Sequence, residues 1–149
     1  MTGYTSYQIL PELHAILVNF QGKIKLNDLI QSNINFISDP DFDPIFDVIL
    51  DFRDSMAIAF GMDMFEYINF FKKSVRLKQR VKVGILYHSP NQKFLISIYK
   101  PLASLLKMDV GDYEQIDACL MWMGYSDHDQ LLIKASLQGI KNNLFANDI

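Results

Sequence analysis

The chain has 149 residues, half of them hydrophobic, with 14 Lys and Arg against 17 Asp and Glu for a formal net charge of −3. That length fits one ordinary domain, and that apolar share fills a core without staples. The near-balanced charge argues against nucleic acid as the main partner, the lone Cys119 excludes an intrachain disulfide, and no stretch approaches the roughly 18 apolar residues of a membrane span.

Met1 to Leu10 carry no basic start and no long apolar run, so no signal peptide is read. With one cysteine, a reducing, cytoplasmic compartment is expected. Residues 1–149 read as a single domain, with 126–149 a C-terminal helical extension of it.

Ser6 to Asn19 run apolar, interrupted by Pro11-Glu12, and predict two antiparallel strands with a turn near Pro11. Gln21-Gly22-Lys23 ends the second. Asn27 to Ile37 predicts a helix, with Leu26, Leu29, Ile30, Ile34 and Ile37 at helical spacing and Asn27 or Asp28 as cap. Pro40 and Pro44 make 38–44 a loop. Phe46 to Phe52 predicts the third strand, ending in Arg53, Asp54 and Ser55. Asp63 to about Lys78 predicts a helix with a stripe of Met64, Ile68, Phe71 and Val75, and with Lys72, Lys73, Arg76 and Lys78 towards its end.

Val81 to Tyr87 predicts the fourth strand, and Gly84 within it implies a close backbone approach. Ser89-Pro90-Asn91-Gln92 reads as a helix start, with Ser89 as N-cap and Gln92 closing a capping box. That helix runs through Leu106 over an internal Pro101. Asp109 to Glu114 predicts a short, polar edge strand, Gln115 to Met123 a helix closed by Gly124, and Ser126 opens a last helix with Ile133, Leu137, Ile140 and Leu144 on one stripe. The order β-β-α-β-α-β-α-β-α-α predicts an α/β fold, a mixed but mostly parallel five-stranded sheet with helices on its faces.

Several phrases, in order, resemble the SpoIIAA-like family within the STAS and CRAL-TRIO-like fold group. They are Phe20-Gln21-Gly22-Lys23-Ile24, Ser38-Asp39-Pro40 with Phe42, Val48-Ile49-Leu50-Asp51-Phe52-Arg53, and Ala118-Cys119-Leu120-Met121-Trp122-Met123. The resemblance implies a bacterial-type regulatory or binding domain that acts through a protein partner or a small apolar or anionic ligand. Relatives of the anti-anti-sigma type carry a phosphorylatable serine after the third strand. This chain reads Ile58-Ala59-Phe60-Gly61-Met62 there, with no hydroxyl before the glycine, so the phosphoswitch is not expected.

In open α/β sheets ligands bind beyond the carboxyl ends of the strands. Those ends supply Asp51, Arg53, Asp54, Ser55, His88 and Ser89 as candidate binding residues, set against an ordinary Asp51–Arg53 ion pair. A hydrolase built from Ser55, His88 and Asp54 is the alternative in chemistry, without a Gly-x-Ser-x-Gly elbow to support it. Met56, Ile58, Phe60, Met62, Met64 and Phe65 form an apolar segment read as core, as a ligand or partner surface, or as a homodimer interface. A lipid or fatty-acid binder is the third reading and requires a pocket of several hundred Å³, roughly 300 or more. No cofactor is expected, for want of a glycine-rich phosphate loop. No metal is expected either: Asp39-x-Asp41-x-Asp43 continues into Pro44 rather than the glycine of a calcium loop.

Overall fold

A computed structural model describes residues 3–57 and 61–147. Ile58 and Phe60 of the apolar segment lie outside the described residues, as does the Met62 side chain. Five strands, β1 (Tyr4–Leu10), β2 (Ala15–Ile24), β3 (Asp47–Ala57), β4 (Val81–Leu86) and β5 (Met108–Tyr113), alternate with helices α1 (Leu26–Ile37), α2 (Gly61–Ser74) and α3 (Pro90–Ser104). Two more helices, α4 (Ile116–Met123) and α5 (Asp127–Asn147), follow β5.

The strands lie in chain order, β1-β2-β3-β4-β5, with β1 antiparallel to β2 and every other pair parallel. Because each crossover steps one strand in the same direction, a uniform hand puts α1, α2 and α3 on one face of the sheet. On that front face Ile16, Val18 and Phe20, then Val83, Ile85 and Val110, pack under the three helices. The back face takes α4 and α5, with Leu17, Ile49, Leu86, Cys119, Leu120, Ile133 and Leu137 between. Among the described residues no helix is long and apolar enough to cross a membrane.

The turn after β1 is a short helical turn over Pro11–Leu13, closed by His14 at φ 51. Gly84 faces α4: a Cβ there would sit 2.5 Å from the Cys119 sulfur and 2.9 Å from that of Met123. The close approach that the glycine implies is therefore real, and the approaching group is a pair of sulfurs.

Four expectations need correction. First, β3 does not stop at Phe52 but runs on to Ala57, so Arg53, Asp54, Ser55 and Met56 are strand residues. Second, α2 ends at Ser74, so Arg76 and Lys78 lie beyond it and only Lys72 and Lys73 meet the negative end of its dipole. Third, α1 packs Leu26, Leu29, Ile30 and Ile37 on the core as expected but leaves Ile34 exposed, and it buries Ser32, Asn33 and Phe36 as well, with the Asn33 amide donating to the Tyr67 hydroxyl (2.6 Å). Fourth, β5 is an edge strand but not a polar one, since Met108, Val110 and Gly111 are buried under α3 and α4.

Candidate functional site

The overhang of β3 organises the carboxyl end of the sheet. Its ladder with β4 ends at the Asp51–Leu86 pair, whereas its ladder with β2 continues to Ala57. Between Asn19 and Gln21 of β2 the register slips, so that Asn19 faces Asp51 but Gln21 faces Asp54. Two β2 residues therefore oppose three of β3, which is a bulge, and bulges re-aim the side chains they carry.

On the back face the bulge lets Arg53 fold onto Asp51. Arg53 Nε donates to Asp51 Oδ1 and Nη2 to Oδ2, both at 2.9 Å, and the Arg53 backbone N–H adds a third bond at 3.1 Å. The carboxylate is buried at 3 % side-chain exposure, while the guanidinium keeps 32 %. Hydrogen bonding to Asp51 holds the Arg53 guanidinium above its usual range, outweighing partial burial. Asp54 is paired with Lys141 of α5. The four charges thus form two pairs.

The remaining strand-end residues gather on the front side, along the β3 edge that β4 leaves bare. Gln92 Nε2 donates to the carbonyls of Phe52 (2.9 Å) and Ser55 (2.8 Å), and its Oε1 accepts the His88 N–H (2.8 Å). The Ser55 hydroxyl donates to the Phe52 carbonyl at 2.8 Å, and His88 Nε2 lies 3.0 Å from the Ser55 carbonyl. Ser89 caps α3 by accepting the Gln92 N–H at 3.2 Å. The expected capping box is thus shifted by one residue, with the Gln92 side chain taking the N–H of His88 instead of that of Ser89.

The predicted polar cluster is therefore two clusters, split by the sheet. Asp51, Arg53 and Asp54 work with α5 on the back; Ser55, His88 and Ser89 work with Gln92 on the front. No triad is assembled: the Ser55 proton is given to a backbone carbonyl, the His88 ring meets another carbonyl, and Asp54 is held by Lys141.

A cavity of about 70 Å³ opens between the front face and the helices, lined chiefly by Leu50, Phe52, Met64, Ile85, Leu95 and Ile96. Its polar neighbours are already committed. Gln92 bonds the β3 carbonyls, and the Tyr67 hydroxyl accepts from Asn33. Burial raises the pKa of both Tyr67 and Tyr99, which keeps this layer uncharged. The volume is well short of the roughly 300 Å³ that a lipid tail demands. Met64 lines the cavity, whereas Met56 on β3 and Phe65 on α2 do not and stand 60 % and 51 % exposed.

Four participants escaped the sequence reading. Gln92 looks like a cap residue, and only the missing β4 partner turns it into a cross-link. Asn19 and Gln21 are buried polar side chains on the back face of β2, visible in sequence only as breaks in the apolar alternation Ala15, Leu17. Lys141 announces itself by nothing.

A sheet with one antiparallel edge, three helices on one face and two on the other is a SpoIIAA-like fold. A solved structure of an uncharacterized protein from the DUF3478 family with a SpoIIAA-like fold, from Shewanella loihica PV-4, matches with a TM-score of 0.51. The match covers 81 % of this chain and 93 % of that one at 13 % sequence identity. The resemblance read from the ordered phrases holds at the level of fold. No protein-family model and no curated protein matches the chain. Ile58-Ala59-Phe60, part of the segment read from the sequence as lacking a switch serine, lies outside the described residues.

Proposed function

We propose that the protein is a non-enzymatic binding module that takes a short apolar group into the front-face cavity at the carboxyl end of β3 and β4. The carrying observation is a cavity of about 70 Å³ whose lining is apolar and whose bordering polar groups are already bonded. Such a space rewards a few carbon atoms and offers nothing to an ion. The commitment of Ser55 and His88 to backbone carbonyls and of Asp54 to Lys141 supports a binding role over the Ser55–His88–Asp54 hydrolase, and the fold's likeness to a SpoIIAA-like domain agrees with a regulatory one.

The test is a methyl-resolved NMR titration with isobutanol. Saturable shifts confined to Leu50, Ile85, Leu95 and Ile96 are expected, and a Leu95→Phe variant that fills the cavity abolishes them. Shifts that scatter over the surface and never saturate overturn the reading.

The exposure of Met56 and Phe65 favours a second reading, in which these apolar side chains meet another copy of the chain. Sedimentation velocity then shows a dimer that Met56→Ser with Phe65→Ser converts to monomer; a monomeric wild type removes it.

A further inference from the structure

A second cavity, of about 40 Å³, lies on the same front face but towards the amino ends of the strands. Val48, Val81 and Val83 line it from the sheet, and Asn33 and Phe71 from α1 and α2. The cavity of about 70 Å³ sits further along the same strands, over Leu50, Phe52 and Ile85. Among the described residues Leu50, Tyr67 and Tyr99 line both. They come from β3, α2 and α3, so the shared wall is one side chain from the sheet and two rings from the helices. Both rings are buried, with centroids 6.1 Å apart and planes tilted by 51°.

The two rings have a direction. The Tyr67 hydroxyl accepts from the Asn33 amide at 2.6 Å, and the Tyr99 hydroxyl reaches the Met108 sulfur at 3.9 Å. Asn33 and Met108 line the second cavity and not the first. The first cavity therefore meets the ring bodies, and the polar ends lie on the side of the second. The Asn33 bond also fixes the ring, since swinging Tyr67 aside strands a buried amide.

We infer that Tyr67 and Tyr99 are the specificity-determining partition of this site, set to limit ligand length. The first cavity admits a short, branched apolar group, and a longer linear chain is stopped at the rings. Beyond them the second cavity offers room for more methylenes and, at Asn33, an amide for a polar end. This gauge presupposes the apolar site proposed above.

Methyl-resolved NMR titrations of the full chain with isobutanol and n-hexanol test it. Leu95 and Ile96 line the first cavity alone, and Leu77 and Val81 the second alone, so each pair reports one side. In the wild type n-hexanol binds no tighter than isobutanol and never shifts both pairs along one saturation curve. In Tyr67→Leu it shifts both pairs along one curve and binds about tenfold tighter than isobutanol, because its two extra methylenes are then buried. Tyr99→Leu, which gives up only the long contact to the Met108 sulfur, does the same and serves where Tyr67→Leu fails to fold. Leu95→Ala enlarges the first cavity, leaves the partition standing and keeps the shifts on the first side. A wild type in which n-hexanol shifts both pairs on one curve overturns the inference, as do tyrosine variants that keep the two pairs apart. A wild type that binds neither alcohol removes the apolar site itself, and the tyrosine variants still decide the partition by whether n-hexanol reaches both pairs.

Discussion

Arg53 grips the carboxylate of Asp51, its neighbour two residues back on the same strand, through two side-chain bonds of 2.9 Å and one backbone bond of 3.1 Å. The pair is asymmetric, because Asp51 is buried and Arg53 is one-third exposed. Removing the cation strands a buried anion, whereas removing the anion leaves a guanidinium that can swing into water. Arg53→Met therefore costs roughly 3 kcal/mol and Asp51→Ala about half as much. Urea unfolding measures both; equal losses, or a larger loss for Asp51→Ala, contradict the asymmetry.

Gln92 bonds two β3 carbonyls and one backbone N–H that no ladder serves. Gln92→Leu keeps the side-chain volume and costs about 2 kcal/mol. His88→Ala, which gives up one contact to a carbonyl that Gln92 still serves, costs less than half of that. Thermal melts of the two variants rank them.

Gly84→Ala drives a methyl group into the Cys119 and Met123 sulfurs and costs about 1–3 kcal/mol. Cys119→Ala removes the nearer of the two sulfurs, so the double variant loses less than the sum of the two single losses. A strictly additive double variant rules out the Cys119 clash as the cause.

Burial pushes the Cys119 thiol up to about 12, and Asp51 pushes the same way, against the pull of Arg53. Native protein at pH 8 should react with an aromatic disulfide reagent about three orders of magnitude more slowly than a free thiol. Reaction at an ordinary rate without denaturant places Cys119 outside the core.

Burial penalises the charge on Asp112, yet the ammonium groups of Lys93 and Lys100 outweigh that penalty and hold its carboxyl below the usual range. Its folded pKa is thus lower than its unfolded one. The stability it contributes is complete above roughly pH 4 and is lost as the pH falls through the folded value. Asp112→Asn flattens this part of the acid-unfolding curve; an unchanged curve refutes it.

The sheet was legible because its signals are local. Apolar runs, Pro40 and Pro44, Ser89-Pro90 and Gly124 each mark a boundary within a few residues of where the chain obeys it. The length of β3 was not, since Arg53-Asp54-Ser55 is polar and reads as loop. Its extended form is fixed by β2, whose own strand runs to Ile24, and that pairing is non-local. The split of the strand-end cluster hangs on the bulge opposite Phe20, for which single-strand alternation gives no sign. The roles of Gln92 and Lys141 depend on distant backbone and side chains for the same reason.

A strand edge with open carbonyls is a template on which another chain can lay a strand. The six residues by which β3 outruns β4 would be such a template. Gln92 and the His88 ring occupy the carbonyls of Phe52 and Ser55 and leave an incoming strand no register to copy. The same side chains that close the fold locally therefore keep the protein from polymerising through its own unfinished ladder.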